Sequence, residues 1–459
     1  MSQRDHLNWL DELPDAFKTY RNSRKVDEVE CIIPDLTGMS RGKAMPLSKF
    51  SPEHTLFLPI SIFYQTITGE DVEMDIENQW AEGDMQLKPD MTTAMAVPWA
   101  KEATLQVIHD LFDQKGQPVP YAPRNVLKRI IDLYKAQGWQ PIVAPELEFY
   151  LIKPNVDPNE PIQPPVGRTG RSGSGRQSYS MSAVDEYGPV IDTIYDYAED
   201  AGLTIDTVIQ EDGAGQVEIN LSHADPLLLA DQVFYFKRII REAALNNGMF
   251  ATFMAKPMRD EPGSAMHIHQ SVIDIKTGKN IFSNEDGEAS EIFFHFIGGS
   301  QQYLKQVMPL MAPNVNSYKR FESDTNSSAP TNMAWGYDNR ATGLRVPNSK
   351  AQDRRLENRI VGVDCNPYLA IAASLACGYL GLMNQIQPAE PAMGEIEDET
   401  EALPTTLDEA LAEFTDAKEV REVLGEDFCH IYTEVRLEEL RQYHREISPW
   451  EREHLLLNV

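Results

Sequence analysis

The most constraining feature of this 459-residue chain is a set of four strand-like segments that carry ionisable residues at short spacing. Residues i and i+2 of a strand point to the same face of a sheet. Four such strands side by side would therefore line one concave surface with carboxylates, imidazoles and a guanidinium. The segments are VAPELEFYL with Glu146 and Glu148, GQVEINL with Glu218 and with Glu211 seven residues before it, GSAMHIHQSV with His267 and His269, and RRLENRIVG with Glu357 and Arg359.

Five carboxylates and one imidazole of this set are candidate ligands of hard divalent cations. Oxygen-dominated ligation favours Mg²⁺ or Mn²⁺, whereas Zn²⁺ prefers sites with more histidine or cysteine. A single pair of glutamates on a strand usually faces solvent, but four such segments in one chain indicate a common cause. The predicted metal ligands are Glu146, Glu148, Glu211, Glu218, His267 and Glu357.

The charge of the chain is strongly acidic overall and basic in one place. A net charge of −30 argues against nucleic acid and anionic membranes as partners. Residues 319–359 nevertheless carry eight Lys and Arg against five Asp and Glu. A basic island in an acidic protein predicts an anion site, and nucleotides are the usual multiply charged ligand.

Three features predict a soluble cytoplasmic protein. The first residues, MSQRDHLNWLDELPDAF, lack the basic segment and apolar core of a secretory signal. The apolar run from Pro367 to Met383 is rich in small residues and falls short of a membrane span. Four cysteines without C-x-x-C spacing are typical of buried free thiols in a reducing compartment. They are Cys31, Cys365, Cys377 and Cys429.

The order of the predicted elements indicates an α+β protein with two domains. We predict an amphipathic helix over residues 1–20, a small β-rich region that includes a strand at Met91–Trp99, and, further along the chain, a helix over residues 185–201. Three prolines near position 120 and a helix that begins at Pro123 mark the boundary. We therefore divide the chain into residues 1–115 and 116–459.

Six sequence blocks resemble those of glutamine synthetases and stand in the same order as in that family. They are PELEFY, EDGAGQVEIN, PGSAMHIHQS, NVNSYKRF, DNRATGLRVP and RRLENR. The resemblance implies an N-terminal β-grasp domain and a C-terminal α/β catalytic domain built on a curved antiparallel sheet. It also implies homo-oligomeric rings, usually dodecamers of two stacked hexamers, with each active site between adjacent subunits.

The resemblance further implies roles for the residues that match the family motifs. One metal, nearest the glutamate, would be held by Glu148, Glu211 and Glu218. A second metal, on the nucleotide phosphates, would be held by Glu146, His267 and Glu357. The residues along ATP would be His269, Ser271, Arg345 and Arg355. The substrate glutamate would be bound by Arg320, Arg359 and the backbone at Gly263.

The implied chemistry has two steps. ATP phosphorylates the γ-carboxylate of glutamate, and a nitrogen nucleophile then displaces phosphate to form an amide. Arg340 would stabilise the transferring phosphoryl group, which suits a reaction accelerated mainly by positioning and electrostatics.

The chain departs from glutamine synthetases where that family binds ammonium. The stretch FLPISI at residues 57–62 has no carboxylate in place of the family's F-D-G-S-S motif, and Ser328 stands before the flap's Ala-Pro pair. This pattern resembles the γ-glutamylpolyamine synthetase branch, which joins glutamate to putrescine or related amines. The residues predicted to face such an amine are Phe63, Tyr64 and Trp335.

The attacking amine must lose a proton, and a carboxylate on the flap would accept it. Glu322 and Asp324 are the candidates for this base. If either of them rebuilds the ammonium site, the protein is a glutamine synthetase that uses ammonia. A catalytically silent structural relative is a third reading, although a scaffold would not need all six metal ligands.

Overall fold

The computed structural model of the protein describes residues 5–23, 26–74, 83–321, 329–394, 396 and 402–459. Within these ranges the chain forms two sheets that follow one another along the sequence. The first belongs to the N-terminal domain, and the second is the scaffold of the catalytic domain. The fold is therefore the α+β arrangement that the resemblance implied.

A six-stranded sheet forms the N-terminal domain, in the order β2–β1–β6–β4–β3 with β5 on β6. Its strands are β1 (Val26–Pro34), β2 (Ser40–Pro46), β3 (Leu56–Pro59), β4 (Asp84–Pro89), β5 (Met95–Ala96) and β6 (Ala103–Phe112). β1 and β6 run parallel to each other, and the other pairs are antiparallel. Helix α1 (Asp15–Ser23) packs Phe17 and Tyr20 against this sheet, in one apolar cluster with Val29 and Leu105.

An eight-stranded sheet organises the catalytic domain, in the order β12–β13–β14–β11–β7–β9–β8 with β10 on β7. Only the short β12–β13 pair is parallel among these strands of the described chain. The strands are β7 (Trp139–Ile152), β8 (Ile205–Gln210), β9 (Gln216–Leu221), β10 (Phe250–Thr252), β11 (Met266–Asp274), β12 (Trp335–Tyr337), β13 (Leu344–Val346) and β14 (Leu356–Asn358).

Helices cover this sheet and supply most of the core. They are α2 (Pro123–Ala136), α3 (Met181–Glu186), α4 (Gly188–Ala201), α5 (Pro226–Asn246), α6 (Glu291–Tyr303), α7 (Met308–Met311), α8 (Pro367–Asn384), α9 (Leu407–Asp416), α10 (Lys418–Leu424), α11 (Glu426–Arg445) and α12 (Pro449–His454). Several begin in the manner that their sequences predict, since Asn366 and Asp225 cap α8 and α5 and proline follows each cap.

Helix α8 is apolar on all sides because it lies in the middle of the molecule. Its close contact with α6 requires glycine, since a Cβ at Gly299 would lie 2.3 Å from the Cα of Gly381. Among the described residues α8 is the one helix long and apolar enough to cross a membrane, and 89% of its residues are buried inside the protein. Such burial is that of a core helix.

Three predicted elements differ in the structure. The helix predicted over residues 1–20 is a 3₁₀ helix at Asp5–Glu12 followed by α1, and Pro14 stands between them. The strand predicted at residues 91–99 is a 3₁₀ turn and the two-residue β5, because the Asp90 side chain accepts a hydrogen bond from the Thr92 amide. The helix predicted at 185–201 is divided into α3 and α4 just before Pro189. The four cysteines are free and buried, as predicted.

Candidate active site

All six predicted metal ligands line one cavity of about 460 Å³ on the catalytic sheet. Strands β7, β9, β11 and β14 supply five of them, and the sixth follows β8 directly. Four arginines share the same walls. They are Arg320, Arg340, Arg345 and Arg359. The spacing of charges along single strands therefore did predict one charged surface.

The register of the sheet sets which ligands meet. His267 lies opposite Glu146 across the β7–β11 pair, and Glu148 lies opposite Glu218 across the β7–β9 pair. The Nδ1 atom of His267 is 3.1 Å from Oε2 of Glu146. Two neighbouring strands on either side of β7 thus bring four charged side chains to one place.

Two triads of side chains offer ligand atoms within 4.8 Å of one another. One consists of Glu146, Glu218 and His267, and the other of Glu146, His269 and Glu357. Glu146 belongs to both triads, so it could contribute to two cation sites. His269, which we assigned to ATP, has its Nε2 atom 2.8 Å from Oε1 of Glu146 and joins the carboxylate cluster directly.

The carboxylates outnumber the cations beside them, and their pKa values show the consequence. Burial and the charge of Glu211 raise the pKa of Glu148 to about 8. Burial and the charges of Glu146 and Glu148 raise the pKa of Glu218 to about 9. A bound divalent cation would relieve both effects, since it prefers deprotonated oxygen ligands. The donor set therefore fits a hard metal ion.

Glu357 is held differently, by cations on both sides. Arg345 Nη1 lies 2.6 Å from its Oε2 atom, and Arg359 Nη1 lies 2.7 Å from its Oε1 atom. Although burial raises it, the charges of His267, His269 and Arg359 keep the pKa of Glu357 below its usual range. The buried Nε atoms of Arg345 and Arg359 have no hydrogen-bond partner in the described part of the chain, so both arginines retain a donor for an anion.

The three residues predicted to bind glutamate lie together. Arg320 is 2% exposed and donates hydrogen bonds to the carbonyl oxygens of Ile360 and Arg359, at 2.9 and 3.0 Å. A Cβ added at Gly263 would lie 2.2 Å from Cγ of Arg320. Only glycine therefore allows this loop to pass so close to the buried guanidinium.

The remaining residues predicted for ATP and phosphoryl transfer take different positions. Arg355 Nε donates to Nδ1 of His269 at 3.1 Å, so these two residues form a pair beside the cavity. Ser271 lies further along β11, opposite Ile142. Arg340 is exposed at the rim of the cavity, where its charge acts on Glu211.

The aromatic residues predicted to face an amine do not line this cavity, which corrects that prediction. Phe63 and Tyr64 are 0% and 1% exposed and pack against Tyr121 in the N-terminal domain. Trp335 is 2% exposed, and its indole donates to the carbonyl oxygen of Ala389. Apolar side chains of this size are sequestered by the core that surrounds them. The candidate bases Glu322 and Asp324 lie outside the described residues.

Sequence reasoning missed one wall of the cavity. Ser178, Tyr179 and Asp212 line it, and Tyr179 is 65% exposed with a backbone φ of 63°. Ser178 donates to Asp212 at 3.2 Å, which ties this loop to the turn after β8. The residues belong to irregular structure without a hydrophobic period, so the pattern of the chain carried no signal for them.

Comparison with known proteins identifies a matching family and several similar enzymes. Residues 120–455 match the family described as glutamine synthetase, catalytic domain. The chain is 35% identical to the γ-glutamylputrescine synthetase PuuA of Escherichia coli (strain K12), over 98% of this chain and 95% of that protein. It is 31% identical to the glutamate–isopropylamine ligase of a Pseudomonas species, over 95% of this chain and 96% of that protein.

A solved structure has the same fold. The structure described as apo GmaS without ligand superimposes with a TM-score of 0.81 at 26% sequence identity, and covers 95% of this chain and 98% of that chain. The agreement extends over both domains.

Proposed function

This chain belongs to the glutamine synthetase family, and we propose that it is an ATP-dependent ligase that joins the γ-carboxylate of glutamate to an organic amine. Putrescine or another polyamine is the proposed acceptor. The observation that carries the proposal is a cavity lined by five glutamates, His267 and four arginines, together with the lack of a carboxylate at residues 57–62, where the family binds ammonium. Relatives whose names state γ-glutamyl-amine synthesis support it.

Enzymes of this family use ATP and divalent metals, and we infer that the ions here are Mg²⁺ or Mn²⁺, two or three in each site. The ligands would be the six predicted residues, joined by His269 through Glu146. Bound there, the cations would neutralise phosphoryl oxygens of ATP and so favour attack at phosphorus. Oxygen ligands in this proportion suit these hard ions.

The arginines of the cavity supply the rest of the phosphoryl-transfer site. Arg320 and Arg359 would hold glutamate so that a γ-carboxylate oxygen attacks the γ-phosphorus of ATP while the bond to ADP breaks. Arg340 at the rim would meet the charge on the transferring group, and Arg345 and Arg355 would lie along the nucleotide. Positioned cations in a water-poor cavity are worth more than in bulk water.

The amine then attacks the acyl carbon, phosphate leaves, and a base accepts the amine proton. We keep Glu322 and Asp324 as candidates for this base because both lie in the flap sequence before Ala329, which lines the cavity. The exposed residues Ser178 and Tyr179, with the half-buried Ile209, replace Phe63, Tyr64 and Trp335 as the surface that an amine would meet. The carboxylates of the cavity would favour binding of a diamine, because they attract its second ammonium group.

Three further properties are proposed on the resemblance to the family. The domain boundary lies between residues 115 and 116, in the segment that separates β6 from α2. The protein is a homo-oligomer, with a ring of subunits that places each active site between neighbours. It acts in the cytoplasm, where its buried free thiols would stay reduced.

Phosphate release tests the proposal. The protein is mixed with ATP, Mg²⁺ and glutamate, and one nitrogen donor is added to each reaction: ammonium, putrescine, spermidine, cadaverine, ethylamine or aniline. Strong stimulation by a polyamine and weak stimulation by ammonium is the expected result, with a γ-glutamyl amide identified by mass. Stimulation by ammonium above every amine would make the protein a glutamine synthetase. No release with any donor would favour the silent relative.

A further inference from the structure

A second cavity, of about 520 Å³, lies between the two domains. The turn after β1 forms one side of it, and α5, β10 and the segment that leads into α8 form the other. It shares no lining residue with the carboxylate cavity. Its volume is in the range of sites for small organic ligands.

A buried ammonium group lies in the wall of this cavity. Lys237 is 9% exposed, and its Nζ atom donates to the carbonyl oxygens of Val363 and Cys365 at 2.6 and 3.0 Å. An ammonium has three donors, so these bonds use two of them. In the described part of the chain no carboxylate lies within ion-pair distance of Lys237. A buried charge without a counter-charge is costly, which favours an anion at this position.

A second cation lies one helical turn further along α5, in the same wall. The Arg241 guanidinium carbon is 4.9 Å from the ring centre of Phe253, and the Lys237 ammonium is 5.6 Å from the same centre. The structure describes no ion pair for Arg241 either. Arg238, between them in the sequence, differs because it pairs with Glu30 at 2.7 Å and lies over Trp99.

One acidic side chain, Asp364, also lies in the lining. Asp364 accepts hydrogen bonds on Oδ2 from Asn314 and Ser317, at 2.8 and 2.6 Å. Its Oδ1 atom lies against Gly362, where a Cβ would come within 2.6 Å. The buried Oδ1 atom has no hydrogen-bond partner in the described part of the chain. The lining therefore holds two cations without an ion pair, Lys237 and Arg241, against one carboxylate, which leaves an excess of positive charge.

We propose that this cavity binds a small organic carboxylate. The carboxylate would be bound by Lys237 and Arg241, because a guanidinium and an ammonium are the usual partners of that group. The rings of Phe234 and Phe253 and the ring of Pro367 would contact the apolar body of the ligand. This apolar surface favours a carboxylate with a hydrocarbon part over inorganic phosphate. The site is independent of the proposed ligase reaction.

Calorimetric titration of the full chain tests the proposal without using the reaction. The protein is first saturated with Mg²⁺, ADP and glutamate, and 3-phenylpropionate is then titrated as the probe. We expect one site per chain, and weaker binding by about tenfold or more in Arg241→Gln, because one charge-assisted hydrogen bond is lost. 3-Phenylpropanamide, which has the same body without the charge, is expected not to bind.

Arg238→Gln is the matched control, because it removes a paired cation from the same helix and the same wall. It should leave the affinity for 3-phenylpropionate within a small factor of the original value. Lys237→Met serves as a second variant if it folds, and it should also lose binding. Equal affinities of Arg241→Gln and Arg238→Gln, displacement of the probe by further glutamate, or binding of inorganic phosphate alone would overturn the proposal.

Discussion

Two regions of this protein bury clusters of carboxylates, and they solve the problem of buried charge differently. At the junction of the domains, Arg124 meets Asp231, Asp90 and Asp110. Asp231 also accepts from the hydroxyl of Tyr368, at 2.7 Å. In the active-site cavity, Glu148, Glu211 and Glu218 lie close to one another, no Lys or Arg of the described residues is within ion-pair distance of them, and their pKa values are raised.

The difference separates a structural cluster from a functional one. At Arg124 each of the three carboxylates forms an ion pair with the guanidinium, Lys128 is a second partner of Asp110, and the cluster joins both domains. Burial still raises the pKa of Asp231, but its charge partner lies within the chain. In the cavity no Lys or Arg of the described residues forms an ion pair with the three glutamates, so the proposed metal ions would supply the missing positive charge. Buried charges without a counter-charge in the chain are typical of a site that binds a ligand.

The largest expected effect comes from removing a ligand of the incomplete cluster. Glu357→Ala should lower turnover by about a thousandfold or more, because it removes a predicted metal ligand, takes the ion pair from Arg359 and leaves Arg345 with Asp338 alone. Phosphate release measures it, with Glu413→Ala as a control at an exposed ion pair. Near-normal turnover of Glu357→Ala would remove this residue from the site.

Removing the cation of the complete cluster should affect stability instead of chemistry. Arg124→Met leaves Asp231 buried without its charge partner, and the free energy of unfolding should fall by about 3–5 kcal/mol. Denaturant titration measures this, and turnover of the folded fraction should change little. A loss of activity that exceeds the loss of folded protein would contradict the division between the two clusters.

Crowding the glutamate site should have a smaller effect. The added methyl group of Gly263→Ala would meet Arg320 and the carbonyl oxygen of Ala255. We expect KM for glutamate to rise by about tenfold while KM for ATP stays close to its original value, since one misplaced contact costs about 1–2 kcal/mol. Initial rates at varied glutamate and varied ATP distinguish this from a general loss, in which both KM values would change together.

The smallest effect concerns pH, and its response to Mg²⁺ distinguishes the two clusters without mutation. Glu148 and Glu218 hold protons in the folded protein that they release when unfolded, since their pKa values are raised to about 8 and 9. The metal-free protein should therefore lose stability as pH rises from about 5 to 9. Thermal unfolding at a series of pH values shows whether this slope is present, and excess Mg²⁺ should reduce it. A slope unchanged by Mg²⁺ would argue that these carboxylates do not bind the ion.

Part of the site was accessible from the sequence because the period of a strand is a local property. Glu146 and Glu148 share a face whatever the strand packs against, and so do His267 and His269. The association of His269 with Glu146 was not accessible, because it depends on the register between β7 and β11. Register is set by contacts between distant parts of the chain.

The residues predicted to face the amine were, in contrast, not accessible from the sequence. Phe63, Tyr64 and Trp335 are aromatic residues near a departure from the family pattern, and that alone led to their prediction. Exposure decides whether such side chains contact a ligand, and the structure buries all three. Tyr179 is exposed at the cavity and has a left-handed backbone, and the hydrophobic pattern of the sequence does not predict either property.

The sequence by itself determined the family of this protein, through the order of its motifs, and the charges on four of its strands predict a cation site. Those features depend on neighbours a few residues apart. Only the tertiary structure decided which charges remain uncompensated, at Glu148 and Glu218 in one cavity and at Lys237 and Arg241 in the other. Compensation depends on which groups approach from other elements, and the distance between them is a property of the folded chain.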